Sequence, residues 1–129
     1  MSTTETPDAQ AALFRDALIG LVRREGPDLS ARQLGVFLIC YLEPKAQTVR
    51  GLAERLEVSK PAITRALDRL TELDLAARKD DPADKRSVLV QRTPGGAAFL
   101  RDLRSILRLA AATPKPAAAR RRRAGAAAH

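Results

Sequence analysis

The spacing of apolar residues along the chain predicts five helices and one pair of strands. Apolar positions recur every three to four residues through most of the sequence, which is the period of an amphipathic α-helix. Apolar and polar residues alternate in two short stretches, 76–80 and 87–93, which is the period of a β-strand. The predicted helices cover residues 8–25, 31–43, 49–56, 60–75 and 94–112.

Short polar residues stand where four of the helices are predicted to begin, and such residues cap helix N-termini. They are Ser30, Thr48, Ser59 and Thr93, and Asp8 is predicted to cap the first helix in the same way. The second helix is apolar almost all round, so we expect it to be buried. Its cysteine is predicted to be a buried apolar residue, because no basic neighbour at helical spacing would activate a thiol there.

The central stretch, VRGLAERLEVSKPAITRALDRLTELDL, predicts two short helices joined by a tight turn, within residues 48–75. Ala53 is small enough for the two helices to cross closely. The outward side of the second helix carries Lys60, Thr64, Arg65 and Arg69. This pattern is typical of a helix-turn-helix that places its second helix in the major groove of DNA. Glu57 occupies the turn position where glycine is common, so we expect a turn that is either slightly strained or differently shaped.

The two strands that follow directly are predicted to form a wing over residues 76–93. The polar, proline-containing loop DPADKR between them is typical of a hairpin tip. Lys85 and Arg86 at this tip are offered to the DNA backbone or minor groove, and Asp84 is close enough to hold the guanidinium of Arg86. The predicted fold class is therefore mainly α with a small β-hairpin, a winged helix-turn-helix flanked by terminal helices.

Composition excludes several other classes of protein. One cysteine excludes an internal disulfide framework, and the only histidine is the last residue, so we expect no metal and no cofactor. The chain contains neither a nucleophile motif nor a phosphate-binding glycine loop, which indicates that it is not an enzyme. We find no apolar run of the ~20 residues that span a bilayer, and no signal peptide, so we expect no membrane association and a cytoplasmic location.

The net charge of +8 is unevenly distributed. Residues 113–129 carry +5 of it and contain no acid, whereas residues 49–75 are neutral overall. The helix-turn-helix therefore cannot hold DNA by its net charge. We expect other parts of the chain, the wing and the tail, to supply much of the electrostatic affinity for DNA. Arginines in the tail are candidates for DNA-backbone contact, although an uninvolved end of the chain explains them equally well. These arginines are Arg120, Arg121, Arg122 and Arg123.

The order of these motifs resembles the MarR family of bacterial winged-helix transcription regulators. The segment LSARQLGVFLICYLE, the helix-turn-helix, and the DPADKRS tip followed by a VxxTPxG-like step carry the resemblance over residues 29–109. It implies that Arg86 enters the minor groove and that Asp84 orients it. The recognition-helix positions that it implies are Ser59, Lys60, Pro61, Thr64, Arg65 and Arg69.

The resemblance also implies a homodimer formed by the first and last helices, and a small-molecule effector. The chain departs from the family in its short start, its single closing helix and its basic tail, so we expect a small dimer interface and a reduced or absent ligand pocket. Two apolar stripes, 13–22 and 99–110, are available for dimerisation. The predicted organisation is a disordered segment over residues 1–7, a domain over 8–112 and a disordered basic tail over 113–129.

Two functions fit this sequence. The first is a sequence-specific regulator of transcription that binds double-stranded DNA. The second is a protein-interaction module or co-regulator that uses the winged helix without reading bases, because a fold alone does not fix a function. The cationic outward side of the second helix favours the first, since the centres of protein interfaces are depleted in lysine.

Overall fold

A computed structural model describes residues 7–112 of the chain. The predicted tail and nearly all of the predicted disordered N-terminus lie outside this range. The described residues form a mainly helical fold with a two-stranded antiparallel hairpin, which confirms the predicted fold class. The elements are α1 Pro7–Arg23, α2 Ala31–Leu42, α3 Val49–Leu56, α4 Lys60–Glu72, β1 Ala77–Asp81, β2 Asp84–Gln91 and α5 Pro94–Ala112.

The chain forms two compact units. Among the described residues, one unit comprises residues 25–103 and the other comprises residues 7–24 and 104–112. The prediction of one domain over 8–112 did not include this division. It follows that α5 belongs to both units, with its first half in the 25–103 unit.

The core of the 25–103 unit is built from one side of each of its helices. The predicted inward positions of α4 from Ile63 to Leu70 are buried. Ala62 is also buried, although the sequence pattern placed it outward. The side of α2 that packs inward is narrower than expected, since Leu42 at its C-terminus is exposed. The largest fully buried side chains are Phe37, Leu52, Ile63, Leu67, Leu70 and Val36.

The Tyr41 side chain joins three elements of this unit. Its ring stacks on Phe37 at a centroid distance of 4.3 Å. Its hydroxyl donates a hydrogen bond to the carbonyl oxygen of Leu75 at 2.8 Å and accepts one from the amide of Thr93 at 2.9 Å. A Cβ atom at position 96 would collide with this hydroxyl, so only glycine fits there. Gly96 at the start of α5 therefore allows a close approach to Tyr41, and the neighbouring Gly95 allows a close approach to the carbonyl oxygen of Asp74.

The hairpin is tighter than the sequence indicated. Strands β1 and β2 pair antiparallel, with Lys79 opposite Leu89. The predicted loop 81–86 reduces to a two-residue connection, because the carboxylate of Asp81 accepts a hydrogen bond from the amide of Ala83 at 2.9 Å and closes the turn. The residues predicted to form the wing tip, Asp84 to Arg86, consequently lie on β2.

The segment before α3 also pairs with the wing, which the sequence pattern did not indicate. Thr48 forms an isolated antiparallel bridge with Leu89, and the carbonyl oxygen of Gln47 accepts a hydrogen bond from the amide of Val90 at 2.9 Å. Backbone pairing thus fixes the wing to the start of the helix-turn-helix.

The second unit contains α1 and the end of α5. Asp8 does not cap α1 as predicted, because the helix already begins at Pro7 and Asp8 lies in its first turn. Proline is tolerated in a first turn, and an acid there is favoured by the helix dipole. A Cβ atom at Gly20 would come within 2.8 Å of Ile106, so glycine allows a close approach. Phe14 and Val22 are each 66% exposed, so much of the predicted apolar stripe of α1 is uncovered.

We predict that Tyr41→Phe destabilises the protein while preserving its fold. The phenylalanine ring keeps the contact with Phe37, but the amide of Thr93 and the carbonyl of Leu75 lose their partner. Leaving buried polar groups unpaired costs about 1–3 kcal/mol. Urea unfolding should show a lower midpoint with an unchanged m-value, and an unchanged midpoint would contradict the role assigned to the hydroxyl.

Candidate nucleic-acid interface

The helix-turn-helix is built by two capped helices. The Thr48 hydroxyl accepts a hydrogen bond from the amide of Gly51 at 3.0 Å, and the Ser59 hydroxyl accepts one from the amide of Ala62 at 3.2 Å. Pro61 follows within the first turn of α4, where its missing N–H costs little. Both helices therefore begin where the sequence predicted.

Glu57 ends α3 in the left-handed region of backbone space, with φ 57° and ψ 46°. This conformation closes the helix, since the amide of Val58 donates to the carbonyl of Ala53 at 3.0 Å. An L-residue in this region costs about 1–2 kcal/mol, whereas glycine adopts it freely. The structure thus gives a physical reason for strain at this turn.

A contact not predicted from the sequence fixes α3 against the end of α2. The guanidinium of Arg55 donates two hydrogen bonds to the carboxylate of Glu43, at 3.1 and 2.7 Å. This pairing holds the pKa of Glu43 below its usual value, chiefly through the side-chain hydrogen bond. Both side chains are solvent-exposed, so the pair orients α3 more than it stabilises the fold.

The outward side of α4 is exposed where the recognition positions were predicted. Lys60, Pro61, Thr64 and Arg65 are all accessible to solvent. Within residues 7–112, Arg65 makes no ion pair, so its guanidinium is available. Ser59 differs, because its hydroxyl is already engaged in the cap of α4.

Arg69 is less available than its neighbour Arg65. Its side chain is half-buried and pairs with the carboxylate of Glu72, with Nη1 and Oε1 3.1 Å apart. A second ion pair joins α4 to the wing, since Nη2 of Arg78 lies 2.8 Å from Oδ1 of Asp68. This second pair could not be predicted from the sequence, because it depends on how β1 packs beside α4.

The predicted wing residues Lys85 and Arg86 are exposed on β2. Asp84 orders this segment, but through other atoms than expected. Its carboxylate accepts hydrogen bonds from the backbone amide of Arg86 at 3.1 Å and from the hydroxyl of Ser87 at 3.2 Å. In the described part of the chain it therefore positions the backbone of Arg86, whose guanidinium makes no ion pair there. The predicted tail arginines 120–123 lie outside the described residues.

The Cys40 thiol and the neighbouring Arg92 have structural roles. Burial raises the pKa of the Cys40 thiol to about 11, and the nearby charge of Arg92 only partly offsets this effect. Arg92 instead donates hydrogen bonds to the carbonyl oxygens of Cys40 and Glu43, at 3.0 and 2.7 Å, and so caps α2. Among residues 7–112, we find neither a cluster of potential metal ligands nor a helix able to cross a membrane.

Comparison with known protein families gives a match over the central part of the chain. The model of the MarR family matches residues 27–87, which include the whole helix-turn-helix and most of the wing. No curated protein matches the chain.

Solved structures of transcription regulators are similar to this one. The transcriptional regulator Tm0710 from Thermotoga maritima is 22% identical over 77% of this chain and 69% of its own, with a TM-score of 0.64, and supports the fold. Wild-type MarR from E. coli in its apo form is 33% identical over 74% of this chain and 65% of its own, with a TM-score of 0.59. A cysteine-to-serine mutant of E. coli MarR complexed with operator DNA is 32% identical over 75% and 64% of the two chains, with a TM-score of 0.60. The chain thus spans slightly less than two thirds of these E. coli relatives.

We predict that Glu57→Gly stabilises the protein by about 0.5–1 kcal/mol, because glycine adopts the left-handed conformation without the steric cost. The matched control is Glu54→Gly, which makes the same change three residues earlier in ordinary helical backbone of α3. It should destabilise by about 1 kcal/mol. Chemical denaturation of both variants measures the contrast, and a loss of stability in both would refute the strain at Glu57.

Proposed function

We propose that this chain is a member of the MarR family of DNA-binding transcription regulators, and that it reads a specific operator with α4 in the major groove and the wing in the minor groove. The observation that carries the proposal is the outward side of α4. It exposes Lys60, Thr64 and Arg65 on a capped helix. An ion pair between Asp68 and Arg78 joins this helix to the wing, and backbone pairing joins the wing to the residue before α3.

Within this proposal, the N-terminal half of α4 makes the base contacts. Arg65 is the first candidate for a guanine edge, since its guanidinium has no ion-pair partner among residues 7–112. Thr64 is suited to a thymine methyl group or a phosphate. Lys60 is suited to contact the DNA phosphate backbone. The start of α4, at Ser59 and Pro61, is suited to the same backbone. Arg69 can contribute only by exchanging Glu72 for a DNA group, which costs little for an exposed pair.

The wing is proposed to add contacts beside the recognition helix. Arg86 extends from a backbone position that Asp84 orders, and this arrangement suits insertion of a guanidinium into a narrow minor groove. Lys85 is suited to a neighbouring phosphate. The tail arginines 120–123 are proposed to contact the DNA backbone, where they would add affinity without selecting a sequence.

We propose that the protein acts as a homodimer. The unit containing α1 and the end of α5 leaves large apolar side chains exposed, and such patches mark interaction surfaces. Phe14 and Val22 are examples on α1, and Leu109 is 70% exposed on α5. Two subunits would then place their α4 helices in successive major grooves, with half-sites about 10–10.5 bp apart.

Other features of the proposal follow from the family. We propose a bacterial, cytoplasmic regulator without catalytic activity, whose DNA binding responds to a small-molecule effector. The match to the MarR family model, and the similarity to MarR complexed with operator DNA, support the assignment as a regulator.

We predict that Arg65→Ala impairs discrimination between the operator and random DNA, because one good bidentate base contact contributes roughly 1–3 kcal/mol of discrimination. The operator is first selected from a randomised duplex library with the wild-type protein. Arg32→Ala, a change of the same type at an exposed position at the start of α2, is the control.

Binding isotherms on both DNAs measure the effect of Arg65→Ala. Unchanged discrimination would show that α4 does not read bases through Arg65. If the wild-type protein selects no DNA at all, the protein-interaction alternative replaces the proposal.

We predict that Arg86→Ala weakens binding most at sites whose flanking minor groove is narrow and AT-rich, because such grooves concentrate negative potential around an inserted arginine. Lys85→Ala serves as the control, since a phosphate contact should be lost equally on every sequence. Isotherms on operators with AT-rich and GC-rich flanks distinguish the two. An equal loss on both flanks for Arg86→Ala would assign this residue to the backbone instead.

A further inference from the structure

Five charged side chains line a shallow depression between α4 and β1, and the proposed reading residue Arg65 is one of them. Its lining includes the three arginines Arg65, Arg69 and Arg78 and the two acids Asp68 and Glu72. The acids engage two of the arginines, with Asp68 on Arg78 and Glu72 on Arg69. Arg65 is the arginine of this group that makes no ion pair within the described residues.

The Asp68–Arg78 pair differs from the other pair because it joins two elements. Nη2 of Arg78 reaches from β1 to Oδ1 of Asp68 on α4 at 2.8 Å. The Asp68 side chain remains 59% exposed, whereas that of Arg78 is only 29% exposed. The acid therefore lies on the outward side of α4, three residues after Arg65, and draws the arginine against the helix.

The wing does not need this pair to keep its place. Val90, which lies opposite Arg78 in the hairpin, is bonded through its amide to the carbonyl of Gln47 at 2.9 Å. Thr48 bridges to Leu89 beside it. Exposed ion pairs contribute little to stability, so the main consequence of Asp68 is electrostatic and concerns what Arg78 can touch.

We propose that Asp68 sets the specificity of DNA binding by withholding Arg78 from the DNA backbone. This inference rests on the proposed function of α4 as the reading helix. An arginine free to meet phosphates adds affinity for any sequence. On random DNA the protein can shift its position until the freed arginine finds a phosphate. On the operator, base contacts fix the position of α4, so the same arginine gains less. Pairing Arg78 with Asp68 therefore suppresses binding to random DNA more than binding to the operator.

The test compares Asp68→Asn, Arg78→Gln and the double variant with the wild-type protein. Asp28→Asn, which makes the same change at an exposed position before α2, controls for the loss of one negative charge. Affinities for the selected operator and for random duplex are measured at roughly 50 and 200 mM salt. For a given DNA, one additional phosphate contact should increase the ratio of the affinity at low salt to the affinity at high salt by about threefold.

We expect Asp68→Asn to show this steeper salt dependence on random DNA and a lower ratio of operator to random affinity. The double variant should return to the salt dependence of the wild-type protein, because no arginine is then released. Arg78→Gln alone leaves the charge of Asp68 unneutralised and should weaken binding to both DNAs. Thermal unfolding of each variant checks that the fold is retained.

Three results would overturn the inference. The first is that Asp68→Asn behaves like Asp28→Asn. The second is that the double variant keeps the steeper salt dependence. The third is that Asp68→Asn changes the preferred base at one operator position, which would make Asp68 a direct reader of bases. Failure of the proposed function is distinguishable from all three, because the wild-type protein would then not discriminate between operator and random DNA.

Discussion

The Tyr41 hydroxyl is the point at which three parts of the 25–103 unit meet. It bonds the carbonyl of Leu75, just after α4, and the amide of Thr93, just before α5. The Thr93 hydroxyl in turn donates to the carbonyl of Asp74 at 2.7 Å and accepts from the amide of Gly96 at 3.0 Å. The wing begins after Leu75 and ends before Thr93. These hydrogen bonds therefore join the two ends of the wing at its base. The position of the proposed DNA-contacting residues on β2 depends on that connection.

Local sequence signals predicted the helix-turn-helix well because its determinants are local. Ser59 caps α4 and Thr48 caps α3 through bonds that span three residues, and such bonds leave a recognisable pattern. The wing strands were predicted less accurately, since the turn is closed by the single side chain of Asp81. Even so, alternation of apolar and polar residues was sufficient to place the hairpin between α4 and α5.

Long-range contacts were not predictable in this way. Arg92 lies 52 residues from Cys40, and only the fold brings its guanidinium to the end of α2. The ion pair of Asp68 with Arg78 and the pairing of Gln47 with Val90 have the same origin. Gly96 shows most clearly what local sequence signals cannot predict, because helix propensity alone counts a glycine at this position as destabilising. The fold requires it, since any side chain would collide with Tyr41.

The ion pairs of the helix-turn-helix explain why its net charge did not indicate DNA binding. Residues 49–75 are neutral overall, yet neutrality is not evenly spread over the folded surface. Glu43 engages Arg55 on α3, Glu72 engages Arg69, and the wing supplies Arg78 to neutralise Asp68. Among the described residues, exposed cations without an ion pair include Arg65 and Lys60 on α4 and Lys85 and Arg86 on the wing. Phosphate contacts made by such cations would add affinity for any sequence. Under the proposed function, selection of one sequence therefore depends on how well its bases fit a few fixed side chains, because phosphate contacts carry no sequence information.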